Sequence, residues 1–191
     1  MTSNRLEAFS DGVLAIIITI MVLEMRAPEE ATVEALLPVI PVFISYVISF
    51  VYLGIYWNNH HHLLHAVERV NGKVLWANLY LLFWLSLIPF VTSWVGEHHT
   101  LPLPVALYGV VLLMAAIAYR VLELFLMKED MGNNKLKEAI ATGTKETVST
   151  LLYVAAIPLA FVSGWISIAI YLFVAVLWFV PDRRLEKSLK K

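Results

Sequence analysis

Long segments without charged residues are the feature that most restricts how this chain folds. No Asp, Glu, Lys or Arg occurs between Glu34 and Glu68, and a second uncharged run of 34 residues covers 147–180. A charge at the centre of a bilayer costs about 2.5–3.5 kcal/mol, so runs of this length indicate membrane-spanning helices. Hydrophobic residues make up 60% of the chain, whereas soluble domains contain about 45–50%. We therefore predict an all-α integral membrane protein.

The uncharged runs divide into six predicted helices. Their approximate ranges are 5–25, 35–64, 74–95, 101–126, 147–161 and 165–180. The run 147–180 is divided because one helix of that length would be about 51 Å long, against a hydrocarbon core of about 30 Å. Ser163 and Gly164 mark a turn in its middle. Residues 1–191 then form a single transmembrane domain, with no room for a sizeable soluble domain.

The distribution of Lys and Arg predicts the orientation of this domain. If the N-terminus is cytoplasmic, only Arg26 of the 14 Lys and Arg residues lies outside, which leaves 14 − 1 = 13 on the cytoplasmic side. An even number of helices then places both termini in the cytoplasm. The net charge of −1 gives no reason to expect a nucleic-acid partner. The absence of cysteine excludes disulfides and thiolate metal sites.

Acidic residues are concentrated on the predicted outer side. Glu24, Glu29, Glu30 and Glu34 surround the first external loop, and Glu97 lies in the next one. One interpretation is that they are solvated loop charges. The other is that, repeated around an oligomer axis, they form an acidic mouth that concentrates cations at a pore.

The first helix is the least lipid-like of the six. Asp11 either faces protein or water inside the helix, or caps the true start of the helix. Beyond it, the positions of Ile16, Thr19, Ile20 and Leu23 place these side chains on one helical face. A stripe of this kind is more often a packing surface than a pore lining. The residues alone leave both interpretations open.

Three short motifs resemble those of a known family. Arg5-x-x-x-Phe9-Ser10-Asp11 opens the first helix, 56–64 reads YWNNHHHLL, and 76–79 reads WANL. In this order and in these helices, they are similar to the motifs of the prokaryotic transmembrane protein 175 potassium channels. The resemblance covers motifs in the first half of the chain and the overall topology. No motif of the second half matches the family.

The resemblance implies a potassium-preferring cation channel. It implies a homotetramer with a central pore lined by helix 1 of each subunit, in the lipid of a prokaryotic inner (plasma) membrane. Permeant K⁺ and other monovalent cations are the implied ligands, and no cofactor is implied. In the family, bulky aliphatic side chains form a hydrophobic gate in place of a carbonyl-loop filter. By position, Ile16 is the main constriction site, Ile20 and Leu23 extend it, and Thr19 is a polar pore-lining neighbour.

The resemblance also implies a packing network behind the pore. This network and the family motif comprise Arg5, Phe9, Ser10 and Asp11, with His60 and Asn78 as candidate hydrogen-bond partners. It is expected to hold the cytoplasmic half of the first helix against the second and third helices.

Four histidines at the end of the second helix suggest an alternative function. His60, His61, His62 and His65 cluster there, and His61 and His65 have the i, i+4 spacing of a metal-binding pair. They favour a metal- or haem-binding membrane enzyme as the alternative, or roles in hydrogen bonding or pH response. His98 and His99 are predicted on the opposite side of the membrane, and no His-Glu-x-x-His motif occurs. A secondary transporter is disfavoured because no inverted repeat is visible.

Overall fold

The computed structural model describes residues 2–67, 69–99, 101–129 and 144–179. Within these ranges the regular structure is helical, apart from one isolated antiparallel bridge between Thr2 and Arg69, and short loops connect the helices. The helices are α1 (Ser3–Leu23), α2 (Val33–Leu36), α3 (Ile40–His65), α4 (Gly72–Ser86), α5 (Ile88–Glu97), α6 (Pro102–Glu129), α7 (Thr144–Leu159) and α8 (Gly164–Phe179). A 3₁₀ turn, Leu37–Val39, joins α2 to α3.

Prolines shape the second and third spans. Pro41 lies in the first turn of α3, where the missing N–H costs no intrahelical hydrogen bond. Pro89 lies in the first turn of α5 and cannot donate to the carbonyl of Leu85, four residues earlier. The helix therefore breaks at Leu87. The segment predicted as one helix, 74–95, lies within α4 and α5 together.

Four helical segments are long and apolar enough to cross a membrane by length and composition. They are Ser3–Leu23, Val33–His65, Gly72–Glu97 and Pro102–Lys128. α7 and α8 have 16 residues each, which makes each about 24 Å long at 1.5 Å per residue. The four long segments, two of which each combine consecutive helices, and the two shorter helices α7 and α8 make six helical segments in the described chain. The protein is a multi-pass membrane protein. Residue 180, where the sixth predicted helix ends, lies outside the described residues.

Buried hydroxyl groups join three helices in the middle of the bundle. The hydroxyl of Ser49 in α3 lies 2.6 Å from that of Thr92 in α5 and 3.0 Å from that of Tyr108 in α6. All three residues are buried. Because each hydroxyl has a partner, this hydroxyl junction avoids the cost of an unpaired polar group in an apolar interior.

The helix directions define two ends of the bundle. The Ser3 end contains the start of α1, the end of α3 at His65 and the start of α4 at Gly72. The Leu23 end contains the end of α1 and the end of α5 at Glu97. α1 packs mainly against α3, α4 and α5, and α6 packs against α4, α5, α7 and α8. α1 is therefore at one edge of the protomer.

Candidate pore helix and the network behind it

α1 has one buried face and one exposed face. Its buried residues recur every three or four positions: Ser3, Leu6, Ser10, Leu14, Ile17 and Met21. This face packs against α3, α4 and α5. The opposite face is apolar and remains uncovered on the isolated protomer. In a membrane, such a face contacts lipid, another subunit or the lumen of a pore.

The residues predicted to form the constriction lie on this exposed face. Ile16 is 60% exposed, Ile20 is 40% exposed and Leu23 is 77% exposed. Thr19 is exposed beside them, and its hydroxyl donates to the carbonyl of Ile16 at 2.9 Å. That bond uses the hydroxyl proton of Thr19, so its oxygen is left as an acceptor. The expected pore-facing side of α1 is thus apolar, with one added acceptor per copy.

A broad groove of about 580 Å³ runs beside the exposed face of α1. It is lined by Ile16, Ile20 and Glu24 of α1 and by Phe90, Trp94 and Glu97 of α5. Glu24 and Glu97 both belong to the Leu23 end of the bundle, so the groove is apolar along most of its length and acidic at one end. Glu29, Glu30 and Glu34, the remaining members of the predicted acidic mouth, are exposed at the same end.

Asn78 of α4 connects α1 to α3 behind the exposed face. Its side-chain amide donates from Nδ2 to the hydroxyl oxygen of Ser10 at 2.9 Å, and its Oδ1 lies 2.7 Å from Nε2 of His60. The hydroxyl of Ser10 donates to the carbonyl of Leu6 at 2.9 Å. Asn78 and Ser10 are fully buried, and His60 is 2% exposed. These hydrogen bonds hold α1, α3 and α4 together inside the bundle.

The network also determines the tautomer of the neutral His60 ring. Because Oδ1 of Asn78 can only accept, Nε2 of His60 carries the proton. The other ring nitrogen, Nδ1, is buried and has no hydrogen-bond partner in the described part of the chain. His60 therefore depends on Asn78 for the hydrogen bonding of its ring.

A second set of contacts joins α1 to α3 nearer the surface. The indole Nε1 of Trp57 donates to Oδ1 of Asp11 at 3.0 Å, and Nδ1 of His61 lies 2.5 Å from Oε1 of Glu7. Glu7 and Trp57 were missed in the sequence analysis. The signal was their spacing, since Glu7 and Asp11 are an i, i+4 pair on one helix that faces the i, i+4 pair Trp57 and His61 on the next.

The structure separates the motif residues into buried and exposed groups. α1 begins at Ser3, so Asp11 lies about two turns inside the helix. The alternative in which Asp11 caps the start of the helix is therefore wrong. Arg5 is exposed, and Phe9 is 51% exposed. Within one protomer, neither residue lies in the buried network that contains Ser10, His60 and Asn78.

The histidine cluster does not converge on a common point. His60 is directed to Asn78 and His61 to Glu7, while the rings of His61 and His65 stack with centroids 5.7 Å apart. Across 2–67, 69–99, 101–129 and 144–179, no group of three or more His, Asp or Glu side chains is placed to hold a metal ion. The histidine rings do not meet at one point because each ring is already hydrogen-bonded or stacked with a different neighbour.

Comparisons with known proteins bear on the motif helix and on the whole chain. The sequence profile of the family described as "Endosomal/lysosomal potassium channel TMEM175" matches residues 5–89, which include α1 and α3. A potassium channel of Chryseobacterium sp. (strain P1-3) is 54% identical over 191 residues, covering 100% of both chains. This chain belongs to the TMEM175 family. The resemblance based on the three motifs is confirmed.

More distant members of the TMEM175 family match nearly as much of the chain. A potassium channel of Streptomyces collinus is 30% identical over 178 residues, covering 87% of this chain and 86% of the relative. A crystal structure of a lysosomal potassium-selective channel TMEM175 homolog from Chamaesiphon minutus has a TM-score of 0.81 and 27% identity, covering 94% of this chain and 97% of that one. Because the family consists of channels, the metal- or haem-dependent enzyme is not favoured.

Proposed function

We propose that this TMEM175 family member is a potassium-preferring cation channel of a prokaryotic plasma membrane. It is a homotetramer, and α1 of each copy lines the central pore. The observation that carries the proposal is the uncovered stripe of Ile16, Ile20 and Leu23 on the helix with the family motif. The relatives named as potassium channels support K⁺ as the permeant ion.

The constriction is a ring of four Ile16 side chains, one from each copy. No Thr-Val-Gly-Tyr-Gly filter occurs in the sequence, so no cage of carbonyl oxygens replaces the hydration shell of the ion. A narrow apolar neck closes by losing its water and conducts when it widens. Selectivity for K⁺ over Na⁺ then follows from the weaker hydration of K⁺ and is modest.

The basic residues of the chain indicate its orientation, and its outer glutamates attract cations to the pore. The excess of Lys and Arg places the Ser3 end, and with it both termini, in the cytoplasm. The Leu23 end then faces outward with its exposed glutamates, including Glu24 and Glu97. Four copies around one axis surround the mouth with acidic groups, which raises the local concentration of cations.

The groove beside α1 supports assembly through repeated copies. Ile16 and Ile20 form one wall, and Phe90 and Trp94 form the other. An open apolar surface beside a helix of the same chain favours a heterologous contact, in which each copy contacts the next and the ring closes. We propose that α1 of a neighbouring copy covers this groove.

Ion flux through the purified protein in liposomes tests the proposal. The wild type is expected to pass K⁺ faster than Na⁺. Ile16→Asn is expected to raise flux of both ions at least several-fold and to reduce the difference between them, because a polar ring keeps the neck wet. Ile166→Asn is the matched control, since Ile166 of α8 is 46% exposed and lies far from α1 in sequence. Unchanged conductance and selectivity in Ile16→Asn, or flux that requires a coupled gradient, would contradict the proposal.

Cysteine cross-linking tests whether α1 of each copy lies at the symmetry axis. The chain contains no cysteine, so Ile16→Cys introduces a single thiol per copy. Oxidation is expected to produce disulfide-linked dimers on non-reducing gels, because residues around a narrow axis approach within about 7 Å between Cα atoms. Val162→Cys, at a 78% exposed position after α7, is the control. Efficient cross-linking of Val162→Cys without any of Ile16→Cys would rule out α1 at the axis.

A further inference from the structure

A second cavity, of about 260 Å³, lies inside the protomer and away from α1. It is lined by α3, α6, α7 and α8, and its walls include five aromatic side chains: Tyr52, Tyr56, Tyr119, Tyr153 and Trp178. Its volume is slightly below the range of about 300–1,000 Å³ typical of ligand pockets. The ordinary expectation for an interior space in a membrane protein is an apolar packing defect, but several polar groups converge on this one.

Two tyrosines that line the cavity have hydroxyl groups without a hydrogen-bond partner in the described residues. Neither Tyr56 nor Tyr119 makes a side-chain hydrogen bond within the described chain, although Tyr119 is only 6% exposed. Neither hydroxyl oxygen is completely covered by protein atoms. Because both residues line the cavity, their hydroxyl groups reach its space.

Two further residues of the cavity wall, Asn59 and Glu146, present hydrogen-bond acceptors. Asn59 is 7% exposed and donates from Nδ2 to the carbonyl of Ile55 at 2.8 Å, which leaves its Oδ1 as an acceptor. Glu146, in the first turn of α7, also lines the cavity, and its carboxylate has no hydrogen-bond partner in the described chain. A carboxylate and an amide oxygen both select a hydrogen-bond donor.

Arg120 is the one cationic group among the described residues of the cavity wall, and it pairs with a carboxylate. Its Nη1 lies 2.9 Å from Oε2 of Glu123, a residue that is 5% exposed. Lys145 lies outside the wall, over the ring of Trp178 at 6.0 Å from the centroid. With the Arg120 charge balanced, Glu146 gives the cavity a net attraction for cations. The faces of the surrounding tyrosine and tryptophan rings add to that attraction through their quadrupoles.

We propose that this cavity is a binding site for a small organic ammonium cation with an apolar body. The ammonium group donates to Glu146 and Asn59 and accepts no hydrogen bond in return, while the apolar body lies among the tyrosine rings. A metal ion is a poorer fit, because the space is far larger than a bare ion and the described residues of the wall supply one carboxylate, that of Glu146. The site is separate from the ion pathway proposed for α1.

The site is adjacent to the contacts that hold α1. Tyr56 and Asn59 of the cavity wall directly precede Trp57 and His60, which contact Asp11 and Asn78 from the adjacent face of α3. A cation in this cavity therefore touches the helix that supports α1, without entering the pore.

Calorimetric titration of the protein in phosphatidylcholine nanodiscs with phenethylammonium tests the site. We expect saturable binding with one cation per chain, after subtraction of the heat from empty nanodiscs. The neutral 2-phenylethanol is expected to bind at least tenfold more weakly, because it lacks the charge that Glu146 pairs with. Calorimetry measures binding without ion conduction, so its result is independent of whether the proposed channel function is correct.

Four variants assign the binding to this cavity. Glu146→Gln is expected to weaken phenethylammonium binding at least tenfold, and Tyr119→Phe, which keeps the ring, at least threefold. Ala116→Phe fills the cavity and is expected to abolish binding, provided that its elution and melting curves match the wild type. Glu34→Gln, an exposed carboxylate at the Leu23 end, is expected to bind as the wild type does.

Two outcomes would overturn the proposal. One is binding that Glu146→Gln and Tyr119→Phe leave unchanged, since the cation would then lie elsewhere. The other is tighter binding of the anion 3-phenylpropanoate than of phenethylammonium, because the charge of the cavity would then have the opposite sign.

Discussion

Replacing Asn78 with alanine is expected to destabilise the protein by about 2–4 kcal/mol. The substitution removes the hydrogen bonds to Ser10 and to His60, and each interhelical hydrogen bond in a membrane protein contributes about 0.6 kcal/mol on average. His60 is 2% exposed and its Nδ1 already has no partner in the described chain, so the change leaves the whole ring unpaired. A buried polar group without a partner costs about 1–3 kcal/mol more.

The loss is expected to be smaller when Ser10 is changed instead. Ser10→Ala removes one interhelical bond and leaves Nδ2 of the buried Asn78 without its acceptor, but His60 stays paired, so about 1–3 kcal/mol is expected. Asn58→Ala is the control, because Asn58 lies two residues before His60, is half-buried and makes no hydrogen bond in the described part of the chain. It is expected to change stability by less than about 0.5 kcal/mol.

Reversible unfolding in dodecyl sulfate, followed by tryptophan fluorescence, measures these differences. The order of stability expected is Asn58→Ala close to wild type, then Ser10→Ala, then Asn78→Ala. If Asn78→Ala unfolds at the same detergent fraction as Asn58→Ala, the buried network contributes no stability and the reasoning fails.

Two further substitutions probe the packing of the bundle. A Cβ at Gly109 overlaps the hydroxyl of Tyr171, so Gly109→Ala is expected to lower the free energy of unfolding by about 1–3 kcal/mol. The space at Gly54 is open, so Gly54→Ala is expected to raise that free energy by about 0.5–1 kcal/mol. Equal effects of the two substitutions in thermal unfolding would exclude this explanation. A double-mutant cycle of Glu7→Gln and His61→Ala is expected to give a coupling of at most about 1 kcal/mol, because the His61 side chain is 44% exposed. A coupling well above about 1 kcal/mol in the same unfolding assay would contradict this expectation.

The helical fold was predictable because charged residues are costly inside a membrane and are therefore absent from long segments of the sequence. Uncharged runs such as 147–180 are permitted by few other structures, and the turn at Ser163 followed from the length of that run together with the Ser163–Gly164 pair in its middle. The break at Leu87 was harder to see, although Pro89 was the signal for it. A proline can lie within an apolar run without altering its hydropathy, so counting charges does not detect the break.

The side-chain partners of α1 were less predictable than its exposed face. Ile16 and Ile20 share a face through helical periodicity, which is a local property of the chain. The pairing of Asp11 with Trp57 depends on how α3 is rotated against α1, which no local pattern specifies. The family motifs supplied Ser10 as part of a packing network, but the exposed position of Arg5 required the packed structure.

The hydroxyl junction has a consequence for how the protein can move. Ser49 and His60 attach α3 to the α4–α5 span at two levels, 11 residues apart, or about 16 Å along the helix axis. Leu87 lies between their partners, so the bend of that span is fixed from both sides. Two attachment points keep α3 from rotating relative to the α4–α5 span. Any displacement of α1 is therefore relative to α3 and the α4–α5 span together, and it breaks the contacts that Glu7, Ser10 and Asp11 make with them.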